Sequence, residues 1–189
     1  MAIFKRRSTA ALIALIVVVL GTLFGVHRSV GGETAKIEAQ FYSGVYLKDE
    51  KYTQPSIQSQ LDKRNPAALG LVSVASNYPE LKDMTDALRS AQHELADAGT
   101  IPEKYAANEK MQAAYVKLNA ALAQRELKDN EKASAASYAG TLDGAQSVIG
   151  KSAYNSQVEA LRNKLRGFPV NILKNLAFVQ YPDYFGAEG

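Results

Sequence analysis

Apolar residues recur every three or four positions through most of the chain after residue 80, which is the spacing of one helix face. The first stripe is formed by Leu81, Met84, Leu88, Ala91 and Leu95. Three similar stripes follow within residues 111–122, 138–149 and 154–168. No Asn-Gly or Asp-Gly turn is flanked by alternating apolar residues, so strands are not predicted. The pattern predicts an all-α protein.

Turn and capping residues divide this pattern into helices. Asn65-Pro66 predicts a helix start, because asparagine caps helices and proline is favoured at the first helical position. Thr100 and Glu103 have the spacing of a capping box, and the Gly-Phe-Pro run at 167–169 predicts a stop. Because short connections make neighbouring helices antiparallel, we expect a long up-down antiparallel bundle of about four helices. The predicted helices cover 33–64, 66–98, 102–127 and 129–167, with a kink or break at Pro55 and Pro79 and a bend at Gly150.

The N-terminal part has a different pattern. Ser8 to Val26 is a run of 19 residues without a charge, and about 20 apolar residues cross a bilayer. A buried core helix is not favoured, because the run is apolar on all faces and lies between Lys5-Arg6-Arg7 and His27-Arg28. A cleavable signal peptide would have a shorter apolar region and a small-x-small cleavage site. We therefore predict an uncleaved, single-pass transmembrane anchor over residues 8–28, with the lipid bilayer of the inner or plasma membrane as its partner.

The distribution of charged residues predicts the orientation of this anchor in the membrane. Lys5, Arg6 and Arg7 precede the apolar run, so the positive-inside rule predicts that residues 1–7 are cytoplasmic and the bundle extracytoplasmic. Four of the 22 Lys/Arg and none of the 19 Asp/Glu lie before residue 29, which leaves 18 against 19. A nearly neutral remainder has no electrostatic footprint for nucleic acid. The glycines of residues 29–32 predict a flexible joint between anchor and bundle.

Candidate chemistry is sparse. Cysteine is absent and there are two histidines, His27 and His93. The first is expected at the membrane interface and the second on a helix surface. No Ser/His/Asp set, glycine-rich phosphate loop or His-x-x-x-His motif is visible. We therefore predict no catalytic residue, no cofactor and no metal site, and hence a protein that is not an enzyme.

The C-terminal segment 168–189 is rich in aromatic residues. The possible partner-binding residues are Phe178, Tyr181, Tyr184 and Phe185. Chain ends are usually disordered, so this segment either packs back along the bundle or offers an aromatic peptide to a partner. Both alternatives stay open at this point. Tyr154 is expected to pack its ring in the core, and Asn155 to satisfy a local backbone group.

Several of these residues resemble the LemA family at its usual spacing. The specific part is Tyr154-Asn155, Phe168-Pro169 with Asn171, and Tyr184-Phe185. Upstream, Ile57-x-x-Gln60-Leu61-x-x-Arg64, Leu71-Val72 and Leu127-Lys128-x-Asn130 are similar. The resemblance implies a transmembrane helix and a long antiparallel bundle in the bacterial cell envelope, with no agreed biochemical activity. It also implies an N-terminus outside the cell, against which the basic residues argue.

These observations predict a non-enzymatic, membrane-anchored protein of the LemA type. We expect it to act as a scaffold or interaction partner for other cell-envelope proteins, or for a second copy of itself. The alternative is an extracytoplasmic ligand-sensing bundle. Since only residues 1–7 would lie in the cytoplasm, such a sensor would have to act through a partner protein.

Overall fold

The computed structural model describes residues 7–187, with side chains from Thr9 onward. Residues 1–6, which include the predicted orientation signal Lys5 and Arg6, lie outside this range. The described part is all-α apart from one small hairpin, as predicted. Its elements are α1 Arg7–Ser43, β1 Val45–Leu47, β2 Tyr52–Gln54, α2 Ile57–Ala75, a 3-10 helix Pro79–Leu81, α3 Lys82–Asp97, α4 Ile101–Leu122, α5 Asp129–Gly150, α6 Tyr154–Arg166 and α7 Val170–Leu176.

The chain forms two compact units. Residues 39–155 and 183–187 make up the bundle unit, and residues 7–38 and 156–182 make up the anchor unit. In the bundle unit α2 packs against α3 and α5, and α3 packs against α4. The connections between consecutive helices are short, so α2 to α5 run antiparallel. The predicted up-down bundle of four helices is confirmed.

The apolar stripes predicted from the sequence form the core of the bundle unit. Leu88 on α3, Leu118 on α4 and Leu142 on α5 are fully buried. Between α2 and α5 the packing is especially close, because a Cβ atom at Gly70 would lie 2.4 Å from the ring of Tyr138. A larger residue at this position would push the two helices apart.

The predicted helix 33–64 is wrong. Helix α1 ends at Ser43, and Gly44 follows with φ of 91°, a conformation that glycine adopts most readily. The chain then forms a hairpin in which Val45 pairs with Gln54 in antiparallel register. A Cβ atom at Gly44 would lie 2.2 Å from the carbonyl oxygen of Gln54. Strands of three residues are too short to give a detectable alternation, so the sequence did not predict them.

The predicted helix start at Asn65-Pro66 is also wrong, because Pro66 lies inside α2. Helix α2 begins at Ile57, and its cap is Ser56, whose hydroxyl accepts a hydrogen bond from the amide of Ser59 at 3.1 Å. The predicted breaks at both other prolines are confirmed, since Pro55 separates β2 from α2 and Pro79 begins the 3-10 helix.

The capping box before α4 is confirmed. The amide of Glu103 donates to the hydroxyl of Thr100 at 3.3 Å, and the amide of Thr100 donates to the carboxylate of Glu103 at 2.9 Å. These bonds lower the pKa of Glu103. The predicted last helix, 129–167, is two helices, because α5 ends at Gly150, where only a bend was predicted. The stop near Phe168-Pro169 is confirmed by the end of α6 at Arg166.

In the anchor unit, α1 is continuous through Gly31 and Gly32. The flexible joint predicted for residues 29–32 is therefore helical in the structure. Among the described residues, one helix is long and apolar enough to cross a membrane, and it spans Thr9–Ser43. Its apolar side chains, such as Leu15, Leu20 and Phe24, are exposed.

Candidate functional site

Phe185, one of the four predicted partner-binding residues, is buried in the bundle unit. Its side chain is 5% exposed. The ring centroid lies 5.5 Å from that of Phe41 on α1 and 5.4 Å from that of Tyr105 on α4. Phe41 on α1 and Tyr105 on α4 thus form the walls of a pocket that Phe185 fills.

Asn155 holds the backbone of the same residue. Its Nδ2 donates to the carbonyl of Phe185 at 2.7 Å, and its Oδ1 accepts from the amide of Phe185 at 3.0 Å. Both backbone hydrogen-bonding groups of one residue are therefore satisfied by one side-chain amide. The expectation of a local partner for Asn155 is wrong, since Phe185 lies 30 residues away.

Tyr154 packs beside this contact. Its ring is fully buried, as predicted, and lies 5.7 Å from the ring of Phe41. Its hydroxyl donates to the carbonyl of Asp183 at 2.7 Å. In the anchor unit, Arg162 makes a comparable bond pair, since Nε and Nη2 donate to the carbonyl of Pro182 at 3.1 and 2.9 Å. Side chains of α6 thus bind the backbone of the segment 182–185.

The other three tail aromatics are not part of this pocket. Phe178 is 84% exposed, with φ of 54°. Tyr181 is half-buried, and the ammonium of Lys174 lies 3.8 Å from the centre of its ring. Tyr184 is also half-buried. The four residues therefore do not form one continuous surface, and partner binding by them stays a prediction.

A second notable feature is a fully buried arginine in the bundle core. Arg64 on α2 donates to the side-chain oxygens of Gln112 on α4, at 2.6 Å, and of Gln146 on α5. It also lies 3.4 Å from the carbonyl of Leu142. Asn108 on α4 donates to the same Gln146 oxygen at 3.2 Å. These side chains form a polar layer that joins three helices.

The positive charge of Arg64 in the polar layer has no counterion in direct contact among the described residues. Arg64 makes no salt bridge to any residue that the structure describes. Burial lowers its pKa to about 10, while Glu109 and Asp143 act in the opposite direction. Burial and then a hydrogen bond to Asp143 raise the pKa of Tyr115 nearby. Arg64 therefore remains a cation at neutral pH, and its amide partners cannot accept a proton from it. The arrangement suits a structural role.

Sequence reasoning noted Arg64 within a motif but did not predict the polar layer. Gln112 and Gln146 lie beside apolar stripes, and only the register of α4 and α5 brings them to one place. The exposed hairpin was missed as well. Tyr42, Tyr46 and Tyr52 are each about half exposed in the segment that carries β1 and β2. In the sequence, this exposed group could have been recognised from three tyrosines within eleven positions, in a region where the helical pattern of apolar residues is weak.

The histidines take part in different contacts. His93 lines an open cleft of about 530 Å³ between α3 and α4, together with Glu94, Asp97, Glu103 and Lys110. Glu94 is bridged to Lys110 at 2.5 Å, and Glu103 caps α4. Within the described part of the chain, no three His, Asp or Glu side chains are grouped as a metal site requires. His27 belongs to the anchor unit, where it donates to the carbonyl of Ala177 at 2.8 Å.

Comparison with known proteins gives this architecture a family. The model of the LemA family matches residues 53–189, which is most of the chain. The chain belongs to the LemA family. The resemblance carried by Tyr154-Asn155 and Tyr184-Phe185 is thereby confirmed, and in the structure Asn155 holds the backbone of Phe185. The LemA match begins in β2 and does not include α1. Neither a curated protein nor a solved structure matches the chain.

Proposed function

We propose that this LemA protein is a membrane-anchored, non-enzymatic scaffold that binds other proteins of the cell envelope. The observation that carries the proposal is the continuity of α1. Its N-terminal part exposes an uninterrupted series of apolar side chains, and the same helix ends with Phe41 buried among Tyr154 and Phe185. One helix would thus contain both the membrane anchor and a residue of the bundle core.

The composition of the interior supports a role without catalysis. The buried polar groups of the bundle are amides, hydroxyls and one arginine, and the amides of Gln112 and Gln146 are engaged by Arg64. General acid–base catalysis needs a titratable group in reach of a substrate, and the polar layer is closed to solvent at Arg64. We therefore propose that the protein acts through contacts at its surface.

For the protein partner we propose the exposed tyrosines Tyr42, at the end of α1, and Tyr46 and Tyr52, which lie on opposite faces of the hairpin. Tyrosine is enriched in protein interfaces, where it gives apolar contact area and a hydrogen-bonding hydroxyl. The hairpin that presents these residues is fixed to the end of α5, since Gln54 donates to the carbonyl of Lys151 at 3.3 Å and accepts from the amide of Ala153 at 2.9 Å. In the tail, the half-exposed Tyr181 and Tyr184 are proposed as partner residues.

Affinity capture from detergent-solubilised membranes tests this proposal. The wild-type protein should recover a reproducible envelope protein, or a second copy of itself. The Tyr46→Ser/Tyr52→Ser variant should bind its partner at least about thirtyfold more weakly and recover correspondingly less of it, because a tyrosine at the centre of an interface contributes roughly 2 kcal/mol or more. Val116→Ser is the matched control, since Val116 on α4 is exposed to a similar degree.

Two results would contradict the proposal. The scaffold role is wrong if the wild-type protein recovers no reproducible partner under any mild detergent. Binding through the exposed tyrosines is wrong if recovery is normal with the tyrosine variant, or if Val116→Ser reduces recovery to the same extent.

A further inference from the structure

Helix α7 in the anchor unit has its polar and apolar sides reversed relative to a water-facing helix. Lys174 is 6% exposed, whereas Ile172 and Leu176 are 50% and 55% exposed. Ile172 and Leu176 are four residues apart and therefore lie on one face of the helix. A helix on the surface of a soluble protein places its apolar face inward, so α7 lacks an apolar partner on its outer side.

The buried lysine is satisfied by its own segment. Its ammonium donates to the carbonyl of Val179 at 3.4 Å and lies 3.8 Å from the centre of the Tyr181 ring. The charge is thus held by a hydrogen bond and a cation–π contact, which are the interactions that buried ammonium groups require. These contacts hold Lys174 on the inner side of α7. Ile172 and Leu176 therefore lie on the outer side of the helix.

Two exposed phenylalanines flank α7 in the sequence. Phe168 and Phe178 are 83% and 84% exposed, more than any other large apolar side chain that the structure describes. We call Phe168, Ile172, Leu176 and Phe178 the apolar rim. Exposed apolar patches of this kind mark contacts with protein or with membrane.

The position of the apolar rim next to α1 favours a membrane as its binding partner. The carbonyl of Ala177, next to Phe178, accepts a hydrogen bond from His27. His27 directly follows the uncharged run of residues 8–26. The end of α7 therefore lies beside the turn of α1 where the proposed membrane-spanning segment ends.

The charge of the segment points to the same partner. Residues 164–182 contain Lys164, Arg166 and Lys174 and no acidic residue, and of these the buried Lys174 does not face lipid headgroups. Lys164 is bridged to Glu33 at 2.9 Å, and Arg166 is exposed two positions before Phe168. Basic residues beside exposed aromatic and aliphatic side chains are typical of helices that lie in the membrane interface, where the cations meet lipid headgroups.

We propose that the apolar rim inserts into the headgroup–acyl boundary of the membrane that α1 spans. The protein would then hold the bilayer at two places, through a spanning helix and through an interfacial helix on the bundle side. This assigns Phe178 to lipid and not to a protein partner. The inference rests on the proposed membrane anchor.

Tryptophan fluorescence in vesicles tests the inference, because the chain contains no tryptophan of its own. Four full-length variants each carry one reporter: Phe178→Trp and Ile172→Trp in the rim, Phe24→Trp in the anchor and Val116→Trp on the bundle. Each is reconstituted into phosphatidylcholine–phosphatidylglycerol vesicles with or without bromine on the acyl chains. Bromine quenches an indole that lies in the bilayer, and circular dichroism checks that each variant is folded.

We expect blue-shifted emission and loss of fluorescence in brominated vesicles for the reporters at 24, 172 and 178, and neither effect at 116. Quenching at 24 with reporters at 172 and 178 that behave like the one at 116 would overturn the interfacial contact and leave the anchor intact. Absence of quenching at 24 would overturn the anchor, and the inference with it. If Phe178→Trp does not fold, Phe168→Trp takes its place in the same comparison.

Discussion

Replacement of Phe185 by alanine is expected to destabilise the folded protein by about 3–5 kcal/mol, which is the usual cost of removing a buried phenylalanine. The expectation follows from its 5% exposure and from its ring contacts with Phe41 and Tyr105. Phe178→Ala is the matched control in the same tail. Because Phe178 is exposed, its replacement should change stability by no more than about 0.5 kcal/mol.

Thermal unfolding of the full-length variants in detergent, followed by circular dichroism, measures both effects. For a chain of this length the Phe185→Ala midpoint should fall by roughly 6–20 °C, since each kcal/mol corresponds to about 2–4 °C. Asn155→Ala should also destabilise, by about 1–3 kcal/mol, because it leaves backbone groups of Phe185 without partners. Equal midpoints for Phe185→Ala and Phe178→Ala would mean that the tail is not docked.

The second large effect is expected at Arg64. Arg64→Met keeps most of the volume but leaves the Gln112 oxygen without its donor and the Gln146 oxygen with Asn108 as its remaining donor. A hydrogen bond from a charged group contributes about 1.5–3 kcal/mol, so we expect the loss of both bonds to cost about 3–6 kcal/mol. The sequence alone would suggest a milder outcome, since methionine is a good helix former.

Replacing the whole polar layer should reverse that loss. In the variant Arg64→Met/Gln112→Met/Gln146→Met/Asn108→Leu no donor or acceptor of the layer remains to be satisfied. Stability should return to the wild-type value or exceed it, because buried charges often cost more than they contribute. Two observations support this: burial lowers the pKa of Arg64, and Arg64 Nε and Asn108 Oδ1 have no partner among the described residues.

The pKa of Arg64 sets the sign of its pH dependence. The folded-state pKa of about 10 lies below the usual pKa of an arginine side chain, so the unfolded chain binds the proton more tightly. The folded state therefore carries the full cost of this charge at neutral pH, and the cost declines as pH rises above about 10. Comparison of urea unfolding of the single and fourfold variants at neutral pH tests the account. A fourfold variant less stable than Arg64→Met would contradict it.

The bundle could be predicted from the sequence because each of its helices carries a regular apolar stripe. Leu88, Leu118 and Leu142 lie in the middle of three stripes and are buried. Caps formed by neighbouring residues, such as Thr100 with Glu103, could also be predicted from the sequence. Helix starts were harder to predict, because Asn65-Pro66 satisfies the rules for a start while Pro66 is also tolerated within α2.

The candidate sites depend on contacts between distant residues, which a single sequence does not encode locally. Asn155 and Phe185 are 30 residues apart, and the aromatic composition of the tail suits packing as well as partner binding. Arg64 and Gln146 are 82 residues apart, and their meeting depends on the register of α2 against α5. The reversed α7 was hidden for a related reason, since seven residues are too few to define a face by periodicity.

Protease treatment of intact spheroplasts, combined with washed membranes, tests the membrane-anchored scaffold most directly. The protein should stay in the membrane fraction after alkaline carbonate washing, because an apolar helix that spans the bilayer is not extracted. Protease added outside should digest the bundle, with full-length protein in untreated spheroplasts as the control. Release by carbonate would contradict the anchor, and a bundle protected until the spheroplasts are lysed would contradict its extracytoplasmic position.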